Sequence, residues 1–285
     1  MEIKKVIKAY SLDEALKALK EHAGNCEVMA GGTDLSVQIR EGHNSNEVLV
    51  DITDVPELLG IFISENEIRI GSAAKYGEVV ASAEIKEILR GLWDASNSVG
   101  APQIRNLGTI GGNIANGSPA ADSIPPLLAL DAKITIKSLE AERVVRLEDI
   151  YLGKGKVDIK KDEIIVDIII ERPTAKLNVE FEKLGLRNAL AISRLSTSVY
   201  LDLDGDFIKS ARVGSGSLGL YPLREATLEE FLTGKTLNDD LIKLGSLKYS
   251  EIVADRLKGR STCEFKREAV KGVFEAAMGR ILASL

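Results

Sequence analysis

Short apolar runs separated by polar residues characterise the N-terminal part of the chain. Apolar side chains at residues 2–7, Val28-Met29 and Val48–Ile52 predict three strands. Between the first two, Ser11 is followed three residues later by Glu14, which is the spacing of a capping box, and apolar residues then recur at helical intervals. These patterns predict a small lobe in which a helix connects two of the strands, over about 50 residues.

The pattern that follows predicts a second, larger lobe. A hairpin turning at Glu65-Asn66 precedes two helical segments, and three strands come later. The last strand is apolar at consecutive positions, as in strands buried on both faces, so its Asp167 needs a polar partner. We place a domain boundary near residue 175. The predicted strands are Ile61–Ser64, Ile68–Gly71, Lys133–Ser138, Arg143–Leu147 and Glu163–Ile170, and the predicted helices are Tyr76–Ala81 and Glu84–Ser98.

Beyond that boundary the pattern favours an antiparallel sheet covered by helices. Asp204-Gly205 is a tight hairpin signal between two strands, and helical periodicity dominates the last sixty residues or so. Three or four antiparallel strands under a layer of helices are the simplest packing. The predicted strands are Glu180–Leu184, Ser196–Leu203 and Phe207–Val213, and the predicted helices are residues 225–233, 239–247 and 264–283.

Two glycine-rich stretches carry the strongest candidate chemistry. One is Ala30 to Leu35, directly after a predicted strand, and the other runs from Gly108 to Ala132, with Asp122 where a helix could begin. Gly111 and Gly112 lack a Cβ atom, which permits positive φ and close approach of a ligand to the backbone. Because each stretch precedes an expected helix, we expect two sets of backbone N–H groups to converge on one anion, such as a pyrophosphate.

Neither stretch matches the common phosphate-binding motifs. They contain no G-K-[ST], and the glycine spacing at residues 108–112 differs from that of a Rossmann G-x-G-x-x-G. The run from Gly214 to Gly219 does match G-x-G-x-x-G and follows a predicted strand. That strand is a hairpin partner, however, and Tyr221-Pro222 stands where a helix should begin, so a loop is a better interpretation than an NAD site.

Composition narrows the class of protein. The 285 residues are 45% hydrophobic and 28% charged, which is ordinary for a globular protein with room for two domains. A net charge of −6, with basic residues nowhere concentrated along the sequence, argues against nucleic acid as a partner. Cys26 and Cys263 are too few to hold an iron–sulfur cluster. The charged N-terminus does not resemble a signal peptide and no apolar run could span a membrane, so we expect a cytoplasmic protein.

The two glycine-rich stretches, with Pro102-Gln103-Ile104-Arg105-Asn106 before the second, closely resemble the FAD-binding (medium) subunit of the molybdenum hydroxylases. That family includes the flavoprotein subunits of xanthine, nicotinate and carbon monoxide dehydrogenases and of 4-hydroxybenzoyl-CoA reductase. The resemblance runs from the first strand to the C-terminus and implies an α+β fold. A two-lobed FAD-binding domain of the vanillyl-alcohol-oxidase/PCMH type would occupy residues 1–175, with lobes at about 1–54 and 55–175. A C-terminal domain of the carbon monoxide dehydrogenase flavoprotein type, a small antiparallel sheet plus helices, would occupy residues 176–285.

The resemblance also implies which residues bind FAD. The first stretch would wrap the pyrophosphate and ribitol from one side and the second stretch from the other, with Asp122 on ribose or ribitol hydroxyls. Ile165 would lie against the flavin ring, and Lys183 would approach the flavin from the second domain, although an ordinary solvated lysine is an equal alternative. The implied cofactor-binding residues are Val28, Met29, Ala30, Gly31, Gly32, Thr33, Asp34, Leu35, Gly100, Thr109, Gly111, Gly112, Asn113, Asp122, Ile165 and Lys183.

By the same resemblance the chain is an FAD-carrying electron-transfer subunit of a heterotrimeric oxidoreductase. Molybdopterin and the 2Fe-2S cluster reside in separate large and small subunits of the family, and electrons pass from the 2Fe-2S centre through FAD to NAD or another acceptor. Such a subunit does not touch the organic substrate, so it needs no catalytic side chain and no metal site. The segments Gly219–Leu223 and Glu264–Arg267 favour the branch that oxidises purines or other aza-aromatics.

The sequence departs from some family members and leaves two alternatives open. Val99 stands where certain members carry an aromatic residue against the flavin ring, and no cysteine-bearing insertion provides the extra cluster of the benzoyl-CoA-reductase branch. A free-standing flavin oxidoreductase of the same fold would often attach FAD through His or Cys, but neither His22 nor His43 lies in a suitable motif. A non-catalytic scaffold subunit would have loops unable to hold FAD.

Overall fold

The computed structural model describes residues 3–172, 178–187 and 190–285, so the domain boundary expected near residue 175 lies outside the described residues. The strands are β1 Lys5–Lys8, β2 Cys26–Met29, β3 Val48–Asp51, β4 Ile61–Ile63, β5 Glu67–Gly71, β6 Lys133–Lys137, β7 Glu142–Arg146, β8 Tyr151–Gly153, β9 Lys156–Val157, β10 Ile164–Glu171, β11 Asn178–Leu184, β12 Leu195–Asp204, β13 Phe207–Gly216 and β14 Leu223–Arg224. The α-helices are α1 Leu12–Glu21, α2 Leu35–Arg40, α3 Tyr76–Ala81, α4 Ala83–Ile88, α5 Arg90–Asn97, α6 Pro102–Arg105, α7 Ile110–Asn116, α8 Ile124–Ala129, α9 Ala226–Leu232, α10 Asp239–Arg256 and α11 Cys263–Leu282. Across the described ranges, no helix combines the length and apolarity needed to cross a bilayer.

The first sheet is parallel, in the order β1-β3-β2. Helix α1 lies against it through buried Ala15, Leu16 and Leu19. The Oγ atom of Ser11 accepts the N–H of Glu14 at the helix N-terminus, as the capping box predicts. The Glu14 carboxylate, however, accepts the N–H of Tyr10 rather than that of Ser11, so the reciprocal half of the predicted box is wrong by one residue.

The second sheet is antiparallel, in the order β4-β5-β10-β6-β7. Strand β10 lies at its centre, and most of its isoleucines are buried, which confirms a strand covered on both faces. The partner that Asp167 requires is Arg69 on β5, whose Nη1 lies 2.9 Å from the Asp167 carboxylate. The short helices α3, α4, α5, α7 and α8 contribute residues to the core cluster that packs on this sheet, whereas α6 buries no side chain.

The third sheet is antiparallel, in the order β11-β12-β13-β14, and α10 and α11 cover it. The rings of Tyr249 and Phe274 pack edge to face between these helices, with centroids 5.8 Å apart. Helix α10 continues nine residues beyond the predicted end at residue 247. The prediction was too short because buried Tyr249 and Val253 extend the packed face, and no glycine or proline occurs between residue 247 and Gly259.

The C-terminal sheet lies directly against the second lobe. Gly214 in β13 sits beneath α8, and a Cβ atom there would overlap the carbonyl oxygen of Pro125. The run from Gly214 to Gly219 is therefore a strand end and loop rather than a dinucleotide-binding turn, as predicted. This close approach brings the loops after β11 and β13 to the edge of the second lobe.

Candidate cofactor-binding site

A cavity of about 910 Å³ opens where the two lobes and the C-terminal part meet. The loop from Ala30 to Leu35 forms one wall, α7 forms another, and residues 190–192 border it from the C-terminal side. Ile164 and Ile165 of β10 supply apolar surface. The volume lies near the upper end of the ~300–1,000 Å³ that is usual for ligand and cofactor sites.

The two glycine-rich stretches meet backbone to backbone beside this cavity. A Cβ atom on Gly31 would overlap the carbonyl oxygen of Leu107, so only glycine permits this contact. Gly32 has φ of +66°, which turns the loop towards α2. The predicted convergence of the two stretches is therefore present.

The N–H groups of the two stretches differ in what they bind. In the first stretch, the N–H groups of residues 31–34 donate to no acceptor in the part of the chain that the structure describes. In the second, the N–H of Gly111 donates to the Ser72 carbonyl at 2.9 Å and that of Gly112 to Thr109 Oγ1 at 3.1 Å. The double glycine of the second stretch therefore has no free N–H group to offer, whereas residues 31–34 of the first stretch present a run of unbonded N–H groups suited to a diphosphate.

The double glycine of the second stretch has a different physical role from the one expected. Gly111 and Gly112 lie in the first turn of α7 and neither has positive φ. A Cβ atom on Gly111 would lie 2.6 Å from the carbonyl oxygen of Ser72, so glycine lets α7 pass close to the strand-end backbone. The positive φ in this stretch occurs instead at Gly117, which ends the helix in a left-handed conformation.

Asp122 is one of the charged residues on the cavity wall and is held by three side chains. Lys183 Nζ lies 2.7 Å from its Oδ2, Ser193 Oγ donates to its Oδ1 at 2.5 Å, and Ser98 Oγ lies 3.4 Å from Oδ2. Burial raises the pKa of Asp122, and the charge of Lys183 together with these hydrogen bonds opposes that rise. Ser123, not Asp122, is the residue before α8, and Asp122 lines the cavity.

Lys183 and Met29 are the predicted site residues that do not line the cavity. Lys183 is mostly buried, and its Nζ also donates to the carbonyl oxygens of Ser98 and Ala191, so its contact with the site runs through Asp122. The Met29 side chain lies 3.7 Å from where a Cβ of Gly32 would be, behind the loop. The predicted residues that do line the cavity are Val28, Ala30, Gly31, Gly32, Thr33, Asp34, Leu35, Gly100, Thr109, Gly111, Gly112, Asn113, Asp122 and Ile165.

Several wall residues carry no signal in the sequence. Tyr76 is fully buried and its hydroxyl lies 2.9 Å from Ser123 Oγ, which itself donates to Asn113. Burial raises the pKa of Tyr76 well above its ordinary value, so the phenol stays protonated. Ser193, which holds Asp122 without lining the cavity, could not be predicted because its contact with Asp122 spans 71 residues. The other unforeseen wall residues include Gln38, Ser72, Asn116, Lys160, Lys161, Leu190 and Ile192.

Comparison with known proteins identifies the family. A model described as the FAD binding domain in molybdopterin dehydrogenase matches residues 1–173, which is more than half of the chain. The chain belongs to the FAD-binding subunits of the molybdenum hydroxylases. It is thus an oxidoreductase subunit with FAD as its cofactor, as the resemblance implied. A second model, the CO dehydrogenase flavoprotein C-terminal domain, matches residues 181–281, so the expected two-part α+β fold is confirmed.

Individual relatives match this flavoprotein subunit over nearly its whole length. The nicotinate dehydrogenase FAD-subunit of Eubacterium barkeri is 34% identical over 262 residues, covering 90% of this chain and 88% of that protein. The glyceraldehyde dehydrogenase medium chain of Sulfolobus acidocaldarius is 31% identical over 265 residues, covering 93% of each. A chain of reconstituted CO dehydrogenase from Oligotropha carboxidovorans is 25% identical with a TM-score of 0.91, covering 98% of this chain and 97% of that one.

The geometry of the flavoprotein's cavity fits FAD. Residues 31–34 line the cavity with N–H groups that have no acceptor among the described residues, and a Cβ on Gly31 would disrupt their loop by overlapping the Leu107 carbonyl. Apolar Ile164 and Ile165 provide a surface for an aromatic ring, and Asp122 provides acceptors for hydroxyl groups. The cavity therefore offers matching chemistry to the diphosphate, the flavin ring and the hydroxyl groups of a flavin dinucleotide.

Proposed function

We propose that this chain is the electron-transfer subunit of a heterotrimeric molybdenum hydroxylase. It receives electrons from a small 2Fe-2S subunit and passes them to NAD or another acceptor, while a large subunit carries molybdopterin. The observation that carries the proposal is the run of unbonded N–H groups at residues 31–34 on the wall of a cavity of about 910 Å³. Membership of a family of FAD subunits supports the assignment of that cavity to the electron-carrying cofactor.

The proposed binding mode assigns each part of the cavity to one part of FAD. The loop from Val28 to Leu35 holds the diphosphate through its N–H groups, and the residues of the second stretch close the other side. Asp122 accepts hydroxyl groups of the ribose or ribitol, and Ile165 lies against the ring. When bound, FAD supplies the exchange between single electrons and electron pairs that the protein side chains cannot perform.

The chain's own side chains set the charge and the apolar surface around the site. Lys183 sets a positive charge directly behind Asp122, so the pair adds little net charge to the cavity wall. Leu190 and Ile192 line the cavity with apolar side chains that are 50% and 80% exposed, so they offer apolar surface to a ligand at its border. No side chain needs to exchange a proton with the organic substrate, because that substrate binds to another subunit.

Three further assignments complete the proposal. Residues 1–175, with lobes at about 1–54 and 55–175, form the FAD-binding domain, and 176–285 form the C-terminal domain, as the two family matches support. The complex oxidises a purine or another aza-aromatic compound, in line with the nicotinate dehydrogenase relative. The protein is cytoplasmic, which the free thiols of Cys26 and Cys263 support.

Visible absorption of the purified chain tests the proposal. After addition of FAD and removal of unbound cofactor, we expect bands near about 370 and 450 nm that bleach with dithionite, as in flavoproteins generally. Asp122→Ala should weaken FAD retention, because the hydroxyl groups lose their acceptor. The matched control is Asp202→Ala, which removes an exposed carboxylate of the C-terminal sheet. Wild-type chain that retains no flavin would overturn the proposal and favour a scaffold subunit.

A further inference from the structure

Three positively charged side chains from separate segments cluster beside the cofactor cavity. Arg194 follows the cavity residue Ile192 by two positions, and its guanidinium lies 6.0 Å from the ring centroid of Phe265 at the start of α11. Lys266 is the next residue on α11, and Arg260 lies in the turn before that helix. The pKa of Lys266 is lowered by burial and by the positive charges of Arg194 and Arg260, so the three groups act on one another.

These three cations have no counter-charge within the described part of the chain. Their neighbours do: Arg256 pairs with Glu225 at 2.5 Å, and Arg267 lies 3.7 Å from Glu264. Like charges held together without a carboxylate cost free energy unless an anion neutralises them. In a protein with net charge −6, such a local positive site attracts an anionic ligand.

Hydrogen bonds connect this cationic cluster to the cofactor cavity. Lys266 Nζ donates to the carbonyl of Ser217, Ser217 Oγ donates to the carbonyl of Ser193 at 3.1 Å, and Ser193 Oγ donates to Asp122. Three hydrogen bonds therefore separate Lys266 from the carboxylate on the cavity wall. On its other side the cluster reaches a second cavity of about 330 Å³, lined by Arg260 and Tyr221 among others.

We propose that Arg194, Arg260 and Lys266 form a binding site for the diphosphate of a dinucleotide electron acceptor. Two guanidinium groups can each bind phosphate oxygens through paired N–H donors, and the lysine ammonium adds a third charge. None of the three side chains lines the cofactor cavity itself, but Arg194 follows the lining residue Ile192 by two positions. In a nicotinamide dinucleotide one ribose separates the diphosphate from the reacting ring, so a site close to the cofactor cavity suits its geometry. The loop from Gly214 to Gly219 contributes by fixing Lys266 through the Ser217 carbonyl, not as a Rossmann turn. The inference rests on the proposed function, in which NAD is the acceptor.

The test uses the full chain loaded with FAD and NADH as the probe. NADH is oxidised by two electrons to NAD⁺ while FAD is reduced by two electrons with one proton from solvent, which is followed as bleaching near about 450 nm. In Arg194→Gln/Lys266→Gln, the NADH concentration for half-maximal rate should rise about 10-fold or more, since two charged contacts are lost. Arg260→Gln should act in the same direction while keeping the contact between Lys266 and Ser217. Inorganic pyrophosphate should compete with NADH in the wild type.

The control is Arg267→Gln, which removes one positive charge from the same helix at a residue already paired with carboxylates. It should leave half-saturation within about twofold, because exposed charges of this kind contribute little. The proposal is wrong if the NADH concentration for half-maximal rate is unchanged in both Arg194→Gln/Lys266→Gln and Arg260→Gln. If NADH does not reduce the wild type at all, the proposed function with a dinucleotide as electron acceptor is wrong. Calorimetric titration with pyrophosphate then tests whether the cluster binds phosphate groups. Binding to wild type that is lost in the cluster variants supports a phosphate site, whereas no binding overturns it.

Discussion

At the residue scale, glycines fix the site because other backbone passes close to them. Gly31 touches the carbonyl of Leu107, and Gly111 touches that of Ser72. Neither has positive φ, so it is the missing side chain, rather than an unusual backbone conformation, that these positions require. A double glycine in the sequence is compatible with either requirement, positive φ or the absence of a side chain. Only the position of the neighbouring backbone shows which of the two applies.

Gly31→Ala should therefore disrupt the loop that holds the diphosphate. The added methyl group overlaps the Leu107 carbonyl, and we expect the free energy of unfolding to fall by ~1–3 kcal/mol and FAD retention to drop. Urea denaturation and the flavin absorbance of the gel-filtered protein measure the two effects. Gly272→Ala is the control: no atom lies within 4 Å of the added Cβ on α11, so stability should rise by ~0.5–1 kcal/mol. Full FAD content in Gly31→Ala would contradict the contact.

Asp122 illustrates the limit of local signals at this scale. Its position before two prolines suggests the start of a helix, yet its side chain contacts Lys183 and Ser193, 61 and 71 residues away. Its importance could be predicted by family resemblance, whereas its partners could not. Lys183 lies on β11 and Ser193 in the loop before β12, and no sequence spacing encodes contacts over such separations.

At the scale of elements, the strands were predicted more accurately than the short helices. Val48–Ile52, Lys133–Ser138 and Glu163–Ile170 match β3, β6 and β10 within one or two residues, because consecutive or alternating apolar residues mark them. No helix was predicted at residues 110–116, which form α7, and Gly111 and Gly112 have poor helix propensity. Packing against Ser72 and buried Ile110 and Ile114 stabilises it in spite of that propensity.

One ion pair joins α10 to the C-terminal sheet and gives a prediction at this scale. Glu225 is 2% exposed and accepts hydrogen bonds from Arg256 on α10 and from Ser215 on β13. Arg256→Met leaves a buried carboxylate unpaired, so the free energy of unfolding should fall by ~3–5 kcal/mol. Urea denaturation measures the loss.

The control for the ion pair is the double variant Glu225→Gln/Arg256→Met. It removes the buried charge as well as its partner, so it should be more stable than Arg256→Met alone. If the losses of unfolding free energy in Glu225→Gln and in Arg256→Met add up to the loss in the double variant, the two residues are not coupled.

At the scale of the whole molecule, the cavity exists because three parts of the chain meet. The first lobe provides the loop of residues 30–35, the second provides α7 and β10, and the C-terminal part provides residues 190–192. A ligand bound there contacts all three parts in the folded protein and cannot do so in the unfolded chain. Binding of FAD should therefore stabilise the molecule as a whole.

Linkage gives the size of that effect. FAD at about 100 times its Kd should raise the free energy of unfolding by ~2.7 kcal/mol, measured by urea denaturation with and without cofactor. FMN at the same concentration is the control, because it lacks the diphosphate bridge that the N–H groups of residues 31–34 are proposed to bind. Equal stabilisation by FMN and FAD would place the main contacts elsewhere in the cavity.

The sequence by itself determined the strands, the long C-terminal helices, the two glycine-rich stretches and, through their resemblance to a family, the cofactor. These features depend on local periodicity and on residue types within one segment, which a linear pattern records. The tertiary structure alone decided which N–H groups stay unbonded, that Lys183 reaches the site through Asp122, and that Arg194, Arg260 and Lys266 cluster. The physical reason is that burial, hydrogen-bond saturation and charge proximity depend on residues distant in sequence, and packing brings these together.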